Sequence, residues 1–159
     1  MAISALQAAK AMGEYSGWSL SNLEMQKLLY IAHMFHLGIQ ENPLVHGNFE
    51  AWDLGPVHPV LYHKAKIFGA RPVNNIFRSV PKLEEGTELD TLNNTVKKLI
   101  NLDSAMLVNI THWPRGAWAK NYVPGKRGTI IPDSHIKDEY ECRRKNFEDQ
   151  KTHTLDTSS

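Results

Sequence analysis

The chain has 159 residues, enough for one domain with a substantial core, and its 42% hydrophobic and 22% charged residues are ordinary for a globular protein. The 18 Lys+Arg against 17 Asp+Glu leave a net charge of +1, which excludes broad electrostatic attraction to nucleic acid or a membrane; a charge-driven contact has to be local. A single cysteine, Cys142, excludes an internal disulfide and a thiolate metal cluster and suits a reducing cytoplasm, the expected location.

The opening stretch, MAISALQAAKAMGEYSG, carries Lys10 and Glu14 among its alanines, so neither a signal peptide nor a membrane span is expected. Ile3, Leu6, Ala9 and Met12 recur at helical spacing until Gly13 and Gly17, which predicts a short packing helix over residues 3–15. Ser21 or Asn22 caps the next helix, Glu24 sits near its positive end, and Asn42-Pro43 stops it. Over residues 23–39, Met25, Leu28, Leu29, Ala32, Phe35 and Ile39 form an apolar stripe that Tyr30, Ile31, Met34 and Leu37 widen. Only Gln26, His33 and Gln40, flanked by Lys27 and His36, define a polar row, and this helix is expected at the centre of the fold. That row reads either as a solvated edge or as a partner contact.

Phe49-Glu50-Ala51-Trp52 reads as a brief strand. Gly55-Pro56 then predicts a turn, followed by a helix through Val57, Val60, Leu61, Ala65 and Phe68 up to Gly69. Residues 70–86 form a linker anchored by Val73, Ile76, Phe77 and Val80. Leu89, Leu92, Val96, Leu99, Ile100 and Leu102 mark a fourth helix, and Asp103 or Ser104 caps a fifth that Pro114 closes. Thr129-Ile130-Ile131 is expected to pair with the Phe49 to Trp52 arm as a minimal two-stranded ribbon. Pro132, Asp133 and Ser134 start a last helix through Ile136 and Tyr140. The expected fold is therefore mainly α: a bundle of about six helices around a central buried helix. A single domain over residues 5–145 precedes a disordered polar tail over 146–159.

No catalytic constellation emerges. G-x-S-x-G and Walker loops are absent, and the carboxylate pairs Glu84-Glu85 and Glu139-Glu141 read as solvated charge. His33/His36 and His58/His63 lack the spacing and accompanying carboxylate of a helical metal site, so neither metal nor cofactor is expected. One asymmetry does stand out. From Ser104 to Pro132 there is no Asp or Glu, while Arg115, Lys120, Lys126 and Arg127 occur among Trp113, Trp118 and Tyr122. Such a basic aromatic patch suits phosphates and bases, or an acidic protein surface anchored by Trp, Tyr and Arg; near-neutral overall charge favours the protein partner over nucleic acid.

Gln26-Lys27-Leu28-Leu29-Tyr30, then Pro43-Leu44, then Glu50-Ala51-Trp52 with Gly55-Pro56-Val57, Pro59 and Tyr62, and later Thr111-His112 with Trp118, resemble the Panacea domain, the SocA-like antitoxin family. The likeness runs in order over about residues 5–140. Leu54 replaces a usual Tyr, His33-Met34-Phe35 a common Gln-Gly-Trp, and Ala117 a Pro. The resemblance implies a small, nearly all-helical domain of bacteria, archaea and phages that neutralises a cognate toxin protein by direct binding. One group of that family resembles adaptors that deliver toxin to a ClpXP-type protease. Expected partner-binding residues are Gln26, Lys27, His33, Trp52, Trp113, Arg115, Trp118, Lys126 and Arg127, with Trp52 read chiefly as packing in a structural turn. The oligomeric state, a homo-oligomer included, is left open.

Overall fold

The structure, a computed structural model, describes the backbone of residues 1–157 and the side chains of residues 1–148. Its first helix, α1 (Ala5–Ser16), starts at a capping box in which Ser4 and Gln7 each satisfy the other's backbone N–H. It ends at Gly17 in the left-handed conformation, after which Trp18 folds back over Gly13 and stacks on Phe77. A second capping box, Ser21 with Glu24, opens α2 (Asn22–Gln40), the expected central helix. Met25, Leu28, Leu29, Tyr30 and Ala32 are fully buried along it. Apolar residues nearly all round the helix explain this, because every flank must find cover.

The chain then forms β1 (Phe49–Trp52), turns at Asp53 and Leu54, and returns as β2 (Gly55–Val57). This corrects the sequence expectation that Gly55-Pro56 makes the turn and Val57 begins a helix. Gly55, at φ +114°, meets Trp52 across the hairpin, and Pro56 lies opposite Ala51. The helix α3 (Pro59–Ala65) begins only at Pro59, whose fixed φ suits a first helical turn, and a 3-10 turn at Lys66–Phe68 follows. The linker anchors itself as expected, with Val73 and Phe77 buried and Ile76 and Val80 packed against the core.

Next come α4 (Thr87–Leu99), α5 (Ser104–Thr111), capped by the Asp103 side chain, and a short α6 (Ala117–Asn121) for which the sequence offered no separate signal. The strand β3 (Ile130–Ile131) pairs with β1, Phe49 opposite Ile131 and Glu50 opposite Ile130. The expected ribbon is therefore present, but it is three-stranded and antiparallel, in the order β2-β1-β3. The last helix, α7 (Asp133–Thr157), packs along α2. The expected tail, 146–159, begins inside this helix, and its side chains from 149 onward lie outside the described residues. The architecture is mainly α, with seven α-helices and one small sheet among the described residues.

Two expectations for α2 change. Phe35 and Ile39, read as core, are 37% and 61% exposed, because the stripe outruns its cover toward the helix end. The polar row, read as a solvated edge or partner contact, is buried at Gln26, Lys27, His33 and His36.

Candidate partner interface

The buried polar row of α2 is a set of pins. Gln26 accepts from the His58 backbone N–H at 2.7 Å and donates to the His58 carbonyl at 3.2 Å, so its carboxamide pairs with β2's exit as another strand would. Lys27 donates to the Pro56 carbonyl at 2.9 Å. These bonds hold residues 56–58 extended, which explains why the helix periodicity after Gly55 misleads. One turn on, the Tyr30 hydroxyl donates to Glu139 at 2.6 Å and its ring meets Phe49 edge to face. His33 accepts from the Val45 N–H at Nδ1, which leaves Nε2–H to donate to Asp133 at 2.9 Å, at the start of α7. His36 donates through Nδ1 to the Asn42 carbonyl.

Burial dictates the protonation of these groups. Desolvation lowers the Lys27 pKa to about 7. His112, whose ring lies near Lys27 across Gly55, is also held below its ordinary value, by burial first and by the Lys27 charge second. His58 is lowered too, chiefly by burial. The Tyr30 phenol is pushed well above its ordinary value by burial and then by Glu139.

Glu139, expected as solvated charge, is 1% exposed. Besides Tyr30 it accepts from the Ala117 N–H at 2.9 Å and from Arg143 Nε at 2.8 Å, while Arg143 also donates to the Ile110 carbonyl. One carboxylate thus ties α2, α5, α6 and α7 together. The Glu139-Arg143 spacing of four on one helix was a legible sign of the pair; its burial was not.

The basic aromatic segment lies outside this core. Trp118 stacks with His112 at 4.0 Å and with Tyr122 at 4.6 Å, and its Nε1 donates to the Trp52 carbonyl at 2.7 Å. The Tyr122 hydroxyl donates to Asp53 at 2.6 Å, which clamps the hairpin turn against α6. Trp52, itself buried, contacts Tyr62 edge to face, and the Arg127 guanidinium lies 4.3 Å from its ring centroid. Trp113 carries Arg143 at 4.5 Å and Arg115 at 5.3 Å.

Of the nine residues expected at a partner surface, the structure brings Trp52, Trp118 and Arg127 into one cluster, with Lys126 exposed beside it. Trp113 and Arg115 form a second cluster with Arg143. Gln26, Lys27 and His33 do not join either surface, since their polar atoms serve this chain's own backbone and α7. The sequence reading missed Leu54 and Val123, exposed apolar residues beside the bonded pair Asp53 and Tyr122, and Ile130 on β3. They make the surface a mixture of apolar, aromatic and cationic groups, the composition of an interface core and rim.

Among the described residues, no group of three or more His, Cys, Asp or Glu is placed to hold a metal ion. Nor is any helix there long and apolar enough to cross a membrane.

A family model described as "Antitoxin SocA-like, Panacea domain" matches residues 25–119. The chain is also 33% identical over 144 residues to a protein named Antitoxin SocA from Caulobacter vibrioides, a match that covers 79% of this chain and 74% of that protein. No solved structure matches.

Proposed function

The chain belongs to the SocA-like Panacea domain family of antitoxins, and from that premise we propose that it is a non-enzymatic, cytoplasmic antitoxin that neutralises a cognate protein toxin by direct binding. The observation that carries the reading is the match to an antitoxin over most of both chains. The proposed contacts are two clusters, Lys126 and Arg127 with Leu54, Val123 and Ile130, and Trp113 with Arg115. Exposed apolar side chains supply desolvation there, and the cations select an acidic partner. Gln26, Lys27 and His33 would act through position, by holding the hairpin and α7 that frame this surface.

The nucleic-acid alternative through residues 113–127 loses support from the same geometry. Stacking on bases needs free aromatic surface, whereas Trp118 stacks with His112 and Tyr122, and Trp52 and Trp113 contact guanidinium groups and Tyr62. The finer reading of adaptor, in which residues 146–159 tether the bound toxin to a ClpXP-type protease, rests on the family resemblance. Its test is deletion of residues 149–159, which keeps Phe147 and should spare toxin binding while abolishing toxin degradation; degradation that persists would sink the adaptor role.

The primary test is co-expression with the product of the adjacent gene. Growth rescue together with a stoichiometric complex is the expected result. A neighbouring product that is toxic yet neither bound nor neutralised would overturn the reading.

A further inference from the structure

The apolar surplus of α2 has a definite place in the fold. Phe35 and Ile39, with Ile31 one turn earlier on α2, form the walls of an open groove of about 520 Å³ together with Tyr140 and Phe147 of α7 and residues of α4, both of which pack on α2. Phe147 is 67% exposed. Such a volume is in the usual range for ligand pockets, and leaving so much aromatic and aliphatic surface in water is costly unless something covers it. The wall positions recur at four residues on α2 and at seven on α7, the ridges against which another helix packs.

Charge narrows the occupant further. Among the described residues the lining includes Lys98, Arg143 and Arg144 and no carboxylate. Arg143 is committed to Glu139 and Ile110. Lys98 has no salt-bridge partner among the described residues, and Arg144 is 55% exposed, holding only surface pairs with Glu141 and Glu148. Exposed pairs of that kind are worth about 0–1 kcal/mol and exchange readily for another carboxylate.

We propose that this groove receives an amphipathic helix of the toxin, its apolar side against Ile39, Phe35 and Phe147 and its acidic residues facing Lys98 and Arg144. The identity of the partner rests on the antitoxin reading; the chemistry of the occupant rests on the groove alone.

The test uses a labelled, stapled helical peptide of about 15 residues, long enough to hold a helix once constrained, with Leu at positions i, i+3, i+4 and i+7 and Glu between them. A second peptide carries Lys in place of Glu. Fluorescence anisotropy with the full chain should show saturable binding of the acidic peptide and about tenfold weaker binding of the basic one. Ile39→Glu and Phe147→Glu, both at exposed positions, should each weaken acidic-peptide binding by about tenfold without altering the circular-dichroism melt, and Lys98→Glu should reduce or reverse the charge preference.

Absence of saturable binding, equal affinity for both peptides, or indifference to the Ile39 and Phe147 variants would overturn the proposal. So would a wild-type dimer in sedimentation that Ile39→Glu makes monomeric, because a second copy would then be the occupant. Growth rescue is scored separately. Failure of the unaltered chain to rescue counts against the antitoxin reading; rescue by the unaltered chain that Phe147→Glu retains in full counts against the groove.

Discussion

Tyr30 and Glu139 meet at 2.6 Å, 109 residues apart in sequence, and the bond joins the central helix to the last one inside the core. Its carboxylate also receives the Ala117 N–H and Arg143. Removing it with Glu139→Ala strands three donors, one of them charged. Breaking a buried pair in that way typically costs about 3–5 kcal/mol. For a chain of this size each kcal/mol moves Tm by about 2–4 °C, so a fall of roughly 10 °C is expected. Glu139→Gln keeps acceptors for Tyr30 and Ala117 and should cost less, as should Tyr30→Phe, at about 1–2 kcal/mol. Combined, the two conservative changes should cost less than their separate effects added, since they share one bond; strict additivity in denaturant melts would contradict the network.

Lys27 makes a second prediction through pH. Its folded pKa, about 7, lies below the ordinary lysine value of 10.5, so the folded chain sheds this proton before the unfolded chain does. Between those values the unfolded state binds more protons, and stability rises with pH; below about 7 both states are protonated and the burial penalty, on the order of 5 kcal/mol, is fully present. Lys27→Met abolishes the titration and leaves the Pro56 carbonyl without its donor. The stability of wild type relative to Lys27→Met should therefore climb from pH 7 to pH 9 by up to about 1.4 kcal/mol per pH unit. A difference that stays constant across urea melts in that window would show that Lys27 does not titrate there.

Gly38 lies within α2, where helix propensity alone says that alanine stabilises by about 1 kcal/mol. Packing says the reverse. An added Cβ would overlap the Tyr140 ring, which must then leave its place against Phe35. Overpacking of that kind costs about 1–3 kcal/mol, so Gly38→Ala is expected to lower Tm, and a rise would mean that Tyr140 moves aside freely.

How far the sequence is legible depends on how local each signal is. The caps of α2 and α5 are legible to within one residue, since a cap and the groups it satisfies lie close in sequence: of Ser21 or Asn22 the structure selects Ser21, and of Asp103 or Ser104 it selects Asp103. The pairing of Phe49–Trp52 with the strand at Ile130–Ile131 is also legible, from β-branched and aromatic residues between turn signals. Gly55–Val57 is misread because what keeps it extended, Gln26 and Lys27, lies on another element. For the same reason periodicity identifies the polar row on α2 as a face without revealing what that face meets. Trp52, Trp118 and Arg127 stand out singly by residue type, but their convergence depends on the hairpin closing against α6.

The outer surface carries the last prediction. Arg127 covers Trp52 and Tyr62, and Arg115 covers Trp113; both arginines belong to the segment that holds no carboxylate between Ser104 and Pro132. Both arginines are exposed, so Arg115→Glu and Arg127→Glu should leave Tm within about 2 °C of wild type, as surface changes generally do. If an acidic toxin docks here, each reversal should weaken the complex by about tenfold or more, mainly through slower association and a changed salt response. A protein partner anchored by Leu54, Val123 and Ile130 retains substantial affinity as salt rises, because burial of apolar surface is not screened. Nucleic acid behaves otherwise: its affinity falls linearly on a log-log plot, by about one unit of slope for each phosphate neutralised. Titration of the purified chain against toxin and against random duplex DNA over a range of salt therefore separates the two readings. Steep, sequence-independent DNA binding that Lys126→Ala and Arg127→Ala both weaken would displace the toxin interface from this face.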